Sequence, residues 1–396
     1  MTLDLRERLH RLEEEGNRLR EELYTTVEVG GRRISLYNAG MKGGAVWFGP
    51  FGRDLLMTAL ILGEPEFAQA ALRFAAETIG RKFDPKTGEE PGRGLHEFNR
   101  VEIRGLFTHY NAVEVSLLFL ITADLYLREG GNAAFIDSIR LPLEAALDYL
   151  SRHVEDGLFV EDPHYCGATR YALRATYWKD SHLPGREDPD YPVIYTLVQA
   201  QAIAAVRAAA RLRSYIRVPF EEARMEEKLL DRLVSTLWNH RANRPYIALD
   251  QTGKIDGVSS DALHLLFYLC PGDLSPDRLA GIEENAHHLA TPVGYRTYAP
   301  GQLGYSPRAY HLGAIWPMEQ YFIARGAAQH KLFEISKAAL GTVAALERLG
   351  FVELYYWDEE TGVRGPSRNG GDGCDLQLWS TAVPTGLVSA FETHED

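Results

Sequence analysis

Twelve stretches with apolar residues at helical spacing run through the chain, and the connectors between them alternate in kind. Short turns such as "GEPE" and "GGNA" take their place in turn with long, irregular crossings rich in Gly, Pro and aromatic residues. The predicted helices span 3–23, 53–62, 66–80, 112–129, 133–153, 191–213, 221–239, 259–268, 275–290, 311–327, 330–348 and 376–391. Such alternation describes six helical hairpins joined by long crossings. Six hairpins closed into a ring give an inner barrel of parallel helices wrapped by an outer ring, so each crossing ends at the N-terminus of an inner helix on one shared rim. The expected fold is all-α, an (α/α)6 barrel, with 1–396 as a single catalytic domain and 1–30 contributing an N-terminal helix that packs on the barrel. No self-similarity at a fixed period marks a solenoid, although a helical solenoid with one charged concave face remains the architectural alternative.

Composition narrows the partners. A formal charge of −13 and an isoelectric point near 5.5 argue against nucleic acid, which needs a basic face to displace counterions. Cys166, Cys270 and Cys374 lie far apart with no CxxC spacing, so neither a zinc site nor a disulfide framework is expected. The opening segment "MTLDLRERLHRLEEEGNRLREELY" is charged throughout, and no apolar run reaches membrane-spanning length. These features predict a cytoplasmic protein with no membrane partner.

The unusual residues fall in the long crossings, where long loops of compact domains usually carry function. They read "WFGPFGRD", "FTHYN", "YWKDS", "KIDGVSSD", "YHLGAIWP" and "VELYYWDEETG" to "GGDGCDLQLW", each ahead of a predicted inner helix. Carboxyls, aromatic platforms and dense hydrogen-bonding groups are what sugar hydrolysis requires. Asp180 follows Trp178 and Lys179: burial against an indole raises a carboxyl pKa as a general acid needs, whereas an adjacent ammonium lowers it. The alternative is that Asp180 caps a turn with Ser181. Glu353, set between Val352 and Leu354, is the candidate base, ahead of Glu359 and Glu360, which read as solvated turn residues.

Arg53 and Asp54 open an inner helix, where they either satisfy the helix terminus or fork across two hydroxyls of one sugar ring. Five of the six tryptophans, Trp47, Trp178, Trp316, Trp357 and Trp379, lie in the crossings or at their helical ends. Further candidate sugar contacts are His96, Glu97, Tyr110, Asn111, Lys179, His311 and Glu319. "HEFNR" is not a HExxH helix, the adjacent His287 and His288 point to different sides of a helix, and "GGDGCD" lacks regular oxygen spacing, so no metal and no cofactor are expected.

Taken in order from about residue 45 to 391, "WFGPFGRDLLMTALIL", "GRKFDPKTGEEPGRGLHE", "YWKDS", "YHLGAIWP" and "VELYYW…CDLQLWSTA" resemble the catalytic region of bacterial amylo-α-1,6-glucosidase, glycogen-debranching-like proteins. These belong with the (α/α)6-barrel glycoside hydrolases that include glucoamylases and mannosylglycerate hydrolases. The resemblance implies an inverting hydrolase of α-linked sugars, a small carbohydrate as substrate, the general acid at Asp180, the general base at Glu353, and the terminal sugar held by Arg53 and Asp54. Three departures stand out: "VEL" where the family has "PEL", Glu114 where an aspartate is usual, and "WPMEQ" for "WPHDN". The last two predict a reshaped sugar pocket. The N-terminal β-rich domain usual in debranching proteins has no counterpart here, which predicts a bare barrel acting on small glycosides such as glycosylglycerates. Two other readings stay open on sequence: a sugar epimerase or isomerase using His96 and His311, and a sugar-binding barrel without a working base.

Overall fold

The computed structural model describes residues 3–366 and 373–392. Its helices are α1 (Leu3–Arg20), α2 (Gly52–Leu62), α3 (Pro65–Thr78), α4 (Val115–Arg128), α5 (Ala133–Ser138), α6 (Arg140–His153), α7 (Thr196–Leu212), α8 (Glu222–Ser235), α9 (Asp261–His264), α10 (Pro276–Ala286), α11 (Pro317–Gln329), α12 (Phe333–Ala339), α13 (Thr342–Leu349) and α14 (Leu378–Glu392).

Two kinds of helix follow from two kinds of sequence. Helix α2, "GRDLLMTALIL", is buried along its whole length, as a helix apolar on every side must be. Helix α8, "EARMEEKLLDRLVS", buries only Leu229 and Leu233 and turns its charges outward. The fully apolar kind packs in a cyclic order: α2 on α4, α4 on α7, α7 on α9, α9 on α11, α11 on α14 and α14 back on α2. Outside them, α1 lies on α14, α3 on α2, α6 on α4, α8 on α7, α10 on α9 and α12 on α11. One hydrophobic cluster runs through all of these helical pairs.

Several predicted helices are shorter or divided. The expected 259–268 is the single turn α9 followed by a 3-10 turn at Leu265–Phe267. The expected 191–213 begins only at Thr196, because Ile194–Tyr195 pairs as a strand with Ala248–Asp250. The stretches 133–153 and 330–348 each break in two, at Ile139 and around Leu340–Gly341.

The connectors also hold more strand than an all-α reading expects. Eight small antiparallel sheets, each of two or three strands, lie among the described residues. A buried crossing must satisfy its backbone N–H and C=O groups, and short hairpins do so without a helix. One of these sheets matters for the site. Strand β1 (Gly40–Lys42) pairs with β2 (Ala45–Phe48) on one side and with Leu376–Gln377 on the other, tying the segment before α2 to the start of α14. Gly40 is required there: a Cβ would meet Gln377 Oε1 at 2.4 Å and Cys374 Sγ at 2.5 Å.

Candidate active site

The N-terminal ends of α2, α4 and α14 meet, and their first residues hold one another. Arg53, in the first turn of α2, donates through Nε to Glu114 at the start of α4 (2.5 Å) and through Nη1 to Asp180 (2.9 Å). Gln377, just ahead of α14, donates from Nε2 to Asp54 Oδ1 at 2.8 Å. Above them lies a cavity of about 420 Å³ whose wall includes Arg53, Asp54, Asp180 and Glu353. Five of the six long crossings therefore converge on one hollow; the sixth, "KIDGVSSD", lines none of it and instead holds Trp178 and Lys179 through Asp261, Ser259 and Ser260.

Aromatic rings build its floor. Trp316 meets Trp178 edge-on at 5.6 Å and Trp379 at 5.9 Å, and the His311 ring stacks on Trp316 at 5.2 Å. Trp316 donates from Nε1 to the Tyr310 carbonyl (2.9 Å), and Trp178 from Nε1 to Asp261 (3.3 Å). The wall also carries Trp47, Phe48 and Phe51, from β2 and the turn into α2.

Asp180 is partly exposed to the cavity, with 23% of its side chain accessible. Burial raises its pKa, and the Arg53 guanidinium opposes that rise without cancelling it. Two imidazoles flank the carboxyl, His96 Nε2 at 3.8 Å and His311 Nδ1 at 4.0 Å. Burial, then the cations nearby, push both histidines well below 6.5, so both are neutral at pH 7. His96 Nδ1 faces the Thr108 carbonyl and so carries the hydrogen; His311 Nδ1 accepts from the Ser181 backbone N–H. His96 thus turns its Nε2 toward Asp180, while the Nδ1 lone pair of His311 is taken by Ser181.

The ammonium of Lys179 does not reach Asp180, though its charge helps to keep His311 neutral. Its Nζ is buried behind the wall against Ser259 Oγ (2.9 Å), Ser260 Oγ (2.8 Å), the Thr297 carbonyl (3.1 Å) and Asp261 (2.9 Å). The chain bends at Lys179, and Asp180 has the cavity side.

Glu353 is buried and held at both oxygens. Tyr310 donates its hydroxyl to Oε1, and the Cys374 backbone N–H donates to Oε2 at 2.8 Å. Burial raises the Glu353 pKa, while these two donors pull it back by favouring the carboxylate. Burial also pushes Asp54 up to about 8 against the pull of Arg53, and Glu97, which accepts from the Thr108 hydroxyl, up to about 7. Four buried polar atoms close to this hollow lack any partner: Arg53 Nη2, Glu114 Oε2, Gln377 Oε1 and Trp379 Nε1. Buried groups left unpaired are costly, and three of these residues, Arg53, Gln377 and Trp379, also line the hollow.

Of the predicted contacts, Trp47, Arg53, Asp54, His96, Glu97, Trp178, His311, Trp316 and Trp379 line the cavity with the two carboxyls. Five do not. Tyr110 donates to the Thr78 carbonyl, and Asn111 pins the Ala172–Leu173 backbone by accepting at 2.8 and 3.1 Å. Lys179 faces away, Glu319 accepts from Ser260 (2.6 Å) beneath the floor, and Trp357 packs in the cluster of Val293 and Ile315. Glu359 and Glu360 are exposed. Part of "GGDGCD", residues 370–372, lies outside the described residues. Sequence reasoning missed Tyr310 and Gln377, whose signals sat inside "YHLGAIWP" and "LQLW", and the role of the Cys374 backbone, which carries none. Among the described residues no group of three or more His, Cys, Asp or Glu side chains converges as metal ligands.

The sequence matches the model of the mannosylglycerate hydrolase MGH1-like glycoside hydrolase domain over residues 119–380. The chain belongs to this glycoside hydrolase family. No curated protein sequence matches the chain. Among solved structures, it resembles the GH63 mannosylglycerate hydrolase from Thermus thermophilus in complex with Tris, at 14% identity and a TM-score of 0.64, covering 95% of this chain and 99% of that one. The same enzyme in complex with Tris and D-glycerate matches at 14% identity and a TM-score of 0.61, covering 97% and 99%. A further solved structure, of a glycosidase carrying a single substitution, matches at 12% identity and a TM-score of 0.64, covering 99% of both chains. At these identities the likeness concerns the fold. Family membership replaces the debranching-type assignment with the broader statement of a glycoside hydrolase of mannosylglycerate hydrolase type.

Proposed function

We propose that this protein is an inverting hydrolase of a small α-glycoside, with Asp180 as general acid and Glu353 as general base, working on an (α/α)6 barrel that spans the chain as one catalytic unit. The cyclic packing of α2, α4, α7, α9, α11 and α14 supports the barrel. The observation that carries the chemistry is the pair of carboxyls lining one cavity, Asp180 paired with Arg53 and Glu353 held by two donors.

In this reading Asp180 gives its proton to the glycosidic oxygen as the C–O bond breaks. Glu353 takes a proton from a water that attacks the anomeric carbon from the opposite face, through an oxocarbenium-like state. Inversion needs room for that water, which corresponds to carboxyls roughly 6.5–9.5 Å apart. Arg53, Asp54, Gln377 and Trp379 hold the ring hydroxyls, and the indole floor stacks on its CH face.

The family and the carbohydrate-sized hollow favour a glucosyl or mannosyl residue on a small aglycone, glycosylglycerates among them, over a branched polysaccharide. The test is to incubate α-glucosides, α-mannosides, glycosylglycerates and maltooligosaccharides and read the first-formed anomer by NMR. A β-anomer from an α-glycoside is the expected result; an α-anomer, or mass-neutral conversion of a free sugar, refutes the mechanism.

A further inference from the structure

Asp180 borders two hollows. Besides the main cavity it lines a shallower one of about 580 Å³ that shares Trp47, Phe48, Ile103, Leu173 and Tyr310 with it but excludes Arg53, Asp54 and Glu353. An acid that protonates the leaving oxygen must sit between the sugar and the departing group. On the hydrolase reading, on which this inference rests, the outer hollow is therefore where the leaving group goes.

The walls of that hollow offer a flat apolar surface. Trp47 is 53% exposed and Ile103 37%, large apolar side chains left open to water at a cavity mouth, with Phe48 and Leu173 continuing the same surface inward. Contiguous exposed apolar area beside a pocket marks a binding surface. Arginines stand at the far rim, and they are not equivalent. Arg104 is committed to Asp188 (2.7 and 2.8 Å) and to the carbonyls of Tyr171 and Ala172. Arg174 lies 3.8 Å from Glu187. Arg308 is exposed, sits over the Tyr356 ring at 6.0 Å, and has no carboxylate partner among the described residues.

We propose that the outer hollow takes an aglycone with a planar apolar body, stacked between Trp47 and the Ile103–Leu173 wall, that ends in a carboxylate received by Arg308. Among small aglycones, this hollow then favours an aromatic or similarly flat hydroxy acid over a short polar one such as glycerate.

The test compares alcohol aglycones of similar acidity on both α-glucosyl and α-mannosyl donors: methyl, glycerate, benzyl and 4-carboxybenzyl. α-Glycosyl fluorides, which need no aglycone contact, run alongside to test hydrolysis itself. Burial of an aromatic ring predicts kcat/KM about tenfold or more higher for benzyl than for methyl. The added carboxylate gives about a further fivefold at low salt. In Arg308→Gln the 4-carboxybenzyl to benzyl ratio falls to about 1, and in Trp47→Ala the benzyl to methyl ratio drops severalfold. Fluoride hydrolysis with equal rates for methyl, glycerate and benzyl overturns the aglycone inference alone, as does a carboxylate preference that survives Arg308→Gln. Inert fluorides overturn the hydrolase reading and this inference with it.

Discussion

The substitution Asp54→Asn tests the electrostatics of the site floor without disturbing its shape. Asp54 is buried, accepts from Gln377 Nε2, and is pushed up to about 8, chiefly by burial, against the attraction of Arg53. An asparagine oxygen accepts the same bond. An aspartate in an unfolded chain titrates near 3.9, so the fold prefers the protonated form. That preference is fully present below about pH 4 and is lost as pH rises toward 8, because the unfolded chain ionises there and the buried group resists. Between about pH 4.5 and 8.5 the loss amounts to at most about 5 kcal/mol. At an unfolding entropy of roughly 2.1 cal/mol/K per residue, over 396 residues, this is about 6 °C in Tm. The asparagine variant does not titrate. Its Tm relative to the parent should therefore climb by up to about 6 °C across that pH range, read by circular dichroism at matched ionic strength. A difference that is flat across the range means that Asp54 is ionised in the fold, and refutes the burial argument.

Three further outcomes follow from the same geometry. Asp180→Asn should lose about a hundredfold or more on alkyl glycosides yet keep most of its rate on glycosyl fluorides, whose leaving group needs no proton, whereas Glu353→Gln should lose both; equal losses on both substrates in the Asp180 variant would contradict its assignment as acid. Tyr310→Phe removes one of the two donors that favour ionised Glu353, so the acidic limb of the kcat/KM profile should move to higher pH while the basic limb stays in place. Gly52→Ala drives a Cβ to 2.1 Å from the Leu95 carbonyl at the start of α2, and chemical denaturation should show a loss of several kcal/mol.

Helix positions were legible because apolar spacing is local, and the alternation of connectors carried the order of the hairpins. The breaks at Ile139 and Leu340, and the single turn at α9, were not, since tertiary packing decides where a continuous apolar pattern stops. Among the site residues, those in the first turn of an inner helix or just before one were placed by the rim argument, as Arg53, Asp54, Trp316 and Trp379 show. Asn111 and Glu319 satisfy that rule and still face away from the cavity, Asn111 toward the Ala172–Leu173 backbone and Glu319 toward Ser260. Direction around a loop is set by partners distant in sequence. Tyr310 and Glu353 are 43 positions apart, and nothing near either one announces the other.

The same dependence on distant partners separates the two carboxyls. Burial acts on both and raises both, so burial alone cannot assign acid and base. Asp180 lies about 4 Å from two neutral imidazoles, and its one cation, Arg53, is shared with Glu114. Glu353 faces a hydroxyl and a backbone N–H, both donors, with no lone pair turned toward it among its described bonds. The proposed roles require a gap between the two groups, and the Tyr310 and Cys374 donors supply it from the Glu353 side. Exchanging the surroundings, for example by removing the Tyr310 hydroxyl, narrows that gap from the Glu353 side, so the width of the pH optimum is a direct reading of how far the fold has set the two groups apart.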